Sequence, residues 1–302
     1  MNTETPVRDT LLHIADLHFW RIVRNPIRLI NKRFLGNINV ALRRRREFDL
    51  ERAESYADVI ANAGPKHALF TGDFTSTATE AEFAMALAFV QRLRDKGLTI
   101  TVLPGNHDVY TFRSRRKARF ERYFAEFVPE GGYPARVDLP GGTPLVLMPT
   151  VAPNLISSKG RMTRKALVEM EKLIASCPEP LVFAAHYPVL ERTEGYTLGP
   201  GRRLRDADML RDLLGRSGKR ILYISGHVHR FSHVRDRKHP NIDHLTTGAL
   251  FKHDRSKGET GEFAEAAIAA DGFTVFRHLR REQWHRMEEP AQPFLSASGI
   301  RS

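Results

Sequence analysis

The chain has 302 residues, 41% of them hydrophobic, which excludes a disordered polypeptide and is long enough to bury a large core. It carries 47 Lys and Arg against 35 Asp and Glu, a net charge of +12 that favours anionic partners: nucleic acid, acidic lipid headgroups or phosphorylated substrates. The single cysteine, Cys177, excludes an internal disulfide and points to a reducing compartment, and no run of about 18 apolar residues is present to cross a bilayer.

Along the chain, the polar start MNTETPVRDT does not read as a secretory signal, so a cytoplasmic protein is expected. Short apolar runs follow at residues 11–15, 67–71, 98–104, 145–149, 181–186 and 220–225. Each ends in polar loop chemistry, as buried strands of an α/β sheet do. Helical patterns at 80–96 and 164–176 lie between them, the second preceded by Thr163 as a cap. Near the end, 244–250 and 272–280 read as further strands. The expectation is one domain over 1–285 with a mobile tail at 286–302. Two stretches, 20–46 and 111–142, read as insertions around a site rather than as sheet elements.

Five short motifs stand at the ends of five of these strands: Asp16-Leu17-His18, Gly72-Asp73, Gly105-Asn106-His107-Asp108, His186, and Gly226-His227-Val228-His229. In open α/β sheets that edge is where ligands bind. Carboxylate oxygens and imidazole nitrogens without thiolates suit Mn, Fe, Zn or Ni. Two such ions about 3.5–4 Å apart need a bridging ligand, and a carboxylate can bridge. On an extended segment, Asp-x-His and His-x-His place alternate side chains on one side. Glycine before Asp73, Asn106 and His227 lets the backbone turn tightly there. His13, His67 and His278 read as ordinary core or surface histidines. Asp206 and Asp208 read as solvated loop residues, and His233, His239 and His253 as bystanders.

In this order the motifs resemble the calcineurin-like metallophosphoesterases, whose pattern is D-x-H, GD, GNH[DE], H and GH-x-H. The likeness spans residues 11–248. It implies a sandwich of two mixed β-sheets flanked by helices. It also implies two divalent metal ions: Asp16, His18 and His229 at one, Asn106, His186 and His227 at the other, and Asp73 between them. His107 would act at the leaving oxygen, with Asp108 orienting its ring. A hydroxide held by the metals would attack phosphorus. One departure is Ser76, where relatives often carry a second acid after GD.

The substrate should be set by the insertions. Residues 20–46 carry Arg21, Arg24, Arg28, Lys32, Arg33 and Arg43 to Arg46, with Trp20, Val23, Ile27, Ile30, Phe34, Ile38 and Leu42 recurring every three or four positions. This basic amphipathic pattern fits either a membrane-surface helix or a helix packed on the core, and the two stand level. Nucleic acid ranks lower, because no aromatic platform accompanies the charge, and no protein partner is inferred. Arg113, Arg116, Arg202 and Arg203 are candidates to grip a diphosphate. The expected activity is hydrolysis of a phosphodiester or diphosphate, resembling the bacterial UDP-2,3-diacylglucosamine diphosphatases, with the enzyme peripheral on the inner face of the cytoplasmic membrane. Alternatives are a soluble cyclic-nucleotide phosphodiesterase and an inactive metal-holding scaffold.

Overall fold

A computed structural model describes residues 5–21, 47–109, 118–151 and 158–293. Most of the basic stretch 20–46, and Arg113 and Arg116 of the second insertion, lie outside the described residues.

Strands β1 (Val7–Ile14), β2 (His67–Phe70) and β3 (Thr99–Val102) run parallel in the first sheet. Strands β10 (Gly261–Ala269), β11 (Gly272–Arg280) and β12 (Trp284–Glu288) complete it by antiparallel pairing, in the order β12-β11-β10-β1-β2-β3. The second sheet has the order β13-β8-β9-β7-β6-β5-β4. Its parallel centre is β5 (Pro144–Met148), β6 (Leu181–Ala185), β7 (Ile221–Ser225) and β9 (Ile242–Thr246). Strands β4 (Ala135–Asp138), β8 (Ser232–Arg235) and β13 (Gln292–Pro293) lie outside these. Both sheets are mixed, as expected.

The apolar runs are continuous because these strands are covered on both faces. In β6, Val182 and Ala184 meet Leu11, Leu69 and Ala264 between the sheets, while Leu181, Phe183 and Ala185 face the helices with Met170, Ile174 and Leu210. That period-two division makes a four-layer sandwich. Helices α1 (Ala53–Ala61) and α2 (Glu80–Asp95) cover the first sheet through Ile60, Phe83 and Phe89. A short helix, α3 (Arg119–Tyr123), adds Phe120 there. Helices α4 (Arg164–Ser176) and α5 (Ala207–Arg216) cover the second. The caps are those the sequence offers. Thr79 and Glu82 form a capping box on α2, and the Thr163 hydroxyl accepts from Ala166 N at 3.1 Å on α4.

Two expectations are corrected. Stretch 111–142 is not wholly an insertion, since Ala135–Asp138 pairs antiparallel with β5 as the outer strand of the second sheet, and Phe120 and Phe124 are core residues. The tail does not begin at 286, because Arg286 lies inside β12 and Gln292–Pro293 pairs with β8. His244, in the run 244–250 read as a strand, is buried in β9, with Nε2 2.8 Å from Asp236. Among the described residues no helix is long and apolar enough to cross a membrane.

Candidate metal centre

The carboxyl ends of β1, β2 and β3 in one sheet and of β6 and β7 in the other reach the same rim. Their loops are zipped together by backbone hydrogen bonds: Asp16 N to Gly72 O (3.0 Å), His18 N to Asp73 O (2.9 Å) and Gly226 N to His186 O (3.1 Å). A Cβ on Gly72 would collide with the Gly105 backbone, so the GD and GNHD loops require glycine to approach this closely. Asp16, His18, Asp73, His227 and His229 all have positive φ, between 49° and 71°. Non-glycine residues hold that conformation only when their surroundings dictate it, and such strain collects at functional sites.

Two groups of side chains converge there. Asp16, His18, Asp73 and His229 form one, and Asp73, His186 and His227 the other, each with ligand atoms within 4.8 Å of one another. Asp73 belongs to both. Its Oδ2 lies 3.7 Å from His18 Nε2 and its Oδ1 3.6 Å from His186 Nε2. His229 Nε2 is 2.8 Å from His18 Nε2 and 3.6 Å from Asp16 Oδ1. Asn106 Oδ1 stands 3.1 Å from His186 Nε2. All seven residues of the expected ligand set are therefore in one place.

The donor set fits cations. Asp16 is fully buried, and its Oδ1 has no hydrogen-bond donor, while Oδ2 accepts from His227 N at 2.9 Å. A buried carboxylate oxygen left without a donor is costly unless a positive charge meets it. Burial pushes the His186 and His227 imidazoles below their ordinary pKa, so they are neutral, the form that gives a lone pair to a metal. For Asp16, burial works upward, but the His229 imidazole and the His227 amide outweigh it and hold the carboxyl low. His186 Nδ1 donates to Thr71 O at 2.7 Å, which leaves Nε2 toward Asp73 and Asn106.

His107 is placed beside this cluster. Its backbone N–H donates to Asp73 Oδ1 at 2.7 Å, its ring Nδ1 to Ser76 O at 2.7 Å, and its ring lies 4.9 Å from that of His18. The expected role of Asp108 is corrected. Its oxygens accept from Gly105 N (2.8 Å), Thr75 N (3.0 Å), Thr75 Oγ1 (3.1 Å) and Phe74 N (3.3 Å), so it locks the two loops rather than turning the His107 ring. Burial and the Asp73 charge raise it to about 7. Ser76 does the orienting with its main-chain carbonyl, while its hydroxyl donates to His18 O at 3.0 Å.

The arginines are mostly spent elsewhere. Arg203 pairs with Glu191 at 2.7 Å. Arg202 donates from Nη2 to His227 O at 3.2 Å, and its own carbonyl faces His227 Nε2 at 2.9 Å. Sequence reading missed two walls of the site. Phe48 presents its ring edge-on to His18 at 5.3 Å, and Tyr187 lies 4.3 Å from the His227 ring. Tyr187 could have been found, since it follows His186 directly, but nothing in the sequence ties Phe48 to a strand end thirty residues earlier.

Comparisons with known proteins agree with this geometry. The family model described as calcineurin-like phosphoesterase matches residues 10–231. Among solved structures, a dimetal phosphatase from Danio rerio is similar with a TM-score of 0.62 at 14% identity, covering 94% of this chain and 100% of that one. The purple acid phosphatase PPD1 from yellow lupin (Lupinus luteus) seeds gives 0.57 at 12% identity, covering 94% of this chain and 53% of that one. A 5'-nucleotidase from Candida albicans gives 0.50 at 13%, with 91% and 52% covered. The chain thus spans about half the length of the last two, and at these identities the likeness is one of fold. No curated protein matches the chain significantly. With more than two thirds of its length matched to the family, and its buried carboxylates and imidazoles gathered at one sheet rim, the chain belongs to the calcineurin-like phosphoesterases and is a metal-dependent phosphoester hydrolase.

Proposed function

We propose that the enzyme works with two divalent cations, one at Asp16, His18 and His229, the other at Asn106, His186 and His227, with Asp73 shared, and that it hydrolyses a phosphodiester or diphosphate. The observation that carries this is the pairing of an Asp73 common to both groups with a buried Asp16 oxygen that has no donor. Bound cations would supply Lewis acidity and an activated water. The chain supplies the rest. Ser76 O holds a proton on His107 Nδ1, so Nε2 is the atom turned to the chemistry, and the ring in its imidazolium form would give its Nε2 proton to the leaving oxygen. Asp108 keeps the loops carrying Asp73 and Asn106 in register. The test is turnover of bis(p-nitrophenyl) phosphate with added Mn. Activity should vanish with a chelator, return with metal, and be absent in Asp73→Ala; a variant near the wild-type rate would refute the shared ligand. Metal binding without turnover would leave the inactive-scaffold reading.

For the substrate, the reading is a lipid-linked ester met at an anionic membrane surface. It is supported by the basic amphipathic pattern of 20–46 and by where that segment's described neighbours stand. Arg21 N donates to the buried Glu82 at 3.3 Å, and Phe48 lies against His18 and His229. Each Lys or Arg near such a surface adds about 1 kcal/mol. Deleting residues 22–44 should release the protein from phosphatidylserine vesicles and spare hydrolysis of a small soluble ester; vesicle binding that survives the deletion sinks this reading. A second reading, a polar ester such as a cyclic nucleotide, is favoured by a cleft of about 500 Å³ that opens at His229 and is lined by Arg230, Lys252, Asp254 and Lys257. A panel holding a lipid-linked nucleotide diphosphate, a cyclic nucleotide and a phosphomonoester separates the two.

A further inference from the structure

We infer that Arg202 is a positioning residue for His227, and that Gly160 is the close approach that keeps it in position. The inference rests on the proposed pair of cations. His227 is gripped at both ends by one residue. Its ring Nε2 lies 2.9 Å from Arg202 O, and its carbonyl accepts from Arg202 Nη2 at 3.2 Å. A carbonyl only accepts, so the ring must carry its proton on Nε2, and Nδ1 is left with its lone pair for the second cation. The grip on the carbonyl steadies a backbone held at φ 71°, which a histidine does not adopt unaided.

Arg202 ends a single 3-10 turn, Pro200–Arg202, which has little rigidity of its own. What fixes it is the segment after β5. Gly201 O accepts from Ser158 N (3.0 Å), Arg203 O from Gly160 N (3.1 Å), and Gly160 O from Arg205 N (3.0 Å). The Tyr187 hydroxyl donates to Ser158 O, while the Tyr187 ring stands 4.3 Å from His227. Gly160 is the tightest point. A Cβ there would lie 2.7 Å from Tyr187 Cδ2, 2.8 Å from Leu204 Cδ1 and 2.8 Å from Thr150 O. Two of those neighbours are buried side chains and the third is main chain, so a methyl group at 160 displaces Leu204 of the 200–205 segment or Tyr187 beside the His227 ring, and either shift loosens the hold on His227.

Two measurements decide it. In metal-free, ¹⁵N-labelled protein near pH 7, two-bond ¹H–¹⁵N correlations should show His227 with its proton on Nε2, the signal being assigned by its loss in His227→Gln. A proton on Nδ1 overturns the inference. In Gly160→Ala, Mn titration by calorimetry should show one site weakened about 10- to 100-fold and the other changed much less. Thermal unfolding reports whether the variant is folded, and a folded variant with both affinities unchanged overturns the role of Gly160. Arg202→Ala keeps the carbonyl, so it should keep the tautomer and lose less affinity than Gly160→Ala; a changed tautomer there counts against the main-chain mechanism. Wild-type protein that takes up fewer than two ions would sink the dinuclear reading instead, whatever the tautomer.

Discussion

Asp108 shows how far a residue's type can mislead about its partner. The GNHD pattern suggested a carboxylate turning the His107 ring, yet its oxygens are taken by the amides of Phe74, Thr75 and Gly105 and by the Thr75 hydroxyl. Asp108→Ala would leave three amides without acceptors in a buried place, each worth about 1–3 kcal/mol. The metal-free variant should therefore show a urea midpoint shifted far below wild type, which an effect limited to the chemical step would not produce. His67 offers a test at acid pH. Burial, opposed by Asp9, takes its pKa from 6.5 down to about 4. As pH falls below 6.5 the unfolded chain binds a proton that the folded chain refuses until about pH 4. Stability from this residue is thus full above 6.5 and is lost between 6.5 and 4. Over that window the unfolding midpoint of His67→Gln should fall less than that of wild type.

At the scale of elements, the strands that were legible are those covered on both faces. Strands β2, β5, β6 and β7 read as unbroken apolar runs because helices lie on one side of each and the opposite sheet on the other. β10 was missed although it sits at the centre of the first sheet. Its sequence GEFAEAAIA puts two acids and four alanines where a strand pattern wants branched residues. The acids are tolerated because partners meet them. Glu262 takes the Arg277 guanidinium and the Gly248 amide, and Glu265 takes His278 and Arg286. Removing one partner strands a buried charge, so Arg277→Met should cost about 3–5 kcal/mol, and the pair Glu262→Gln with Arg277→Met should recover much of it. Chemical denaturation of the two variants checks this. β4 escaped notice for a different reason: it is a four-residue outer strand with no buried position, Ala135–Asp138, whose apolar–polar alternation is too short to mark a strand.

For the whole molecule, the centre joins loops from both sheets, so cations bound there cross-link the two halves of the sandwich. Ions that bind only the folded state should stabilise it by about 2.7 kcal/mol per site at a hundredfold excess over Kd. Adding Mn should raise the thermal midpoint by several degrees and a chelator should reverse it. In Asp73→Ala, which removes the proposed shared ligand, the rise should largely disappear.

The motifs, their order and the family were all written in the chain, because a ligand's element type and its place just beyond an apolar strand are local facts. Which side chain meets which was decided only by the fold. Asp108 serving loops instead of a ring, Ser76 acting through its carbonyl, Arg202 turned inward on His227, and Phe48 walling a site from a distant segment all depend on loops from different strands arriving at one rim. Contacts of that kind are set by main-chain groups and by the close approach that Gly72 and Gly160 allow, and no local pattern of side-chain types records them.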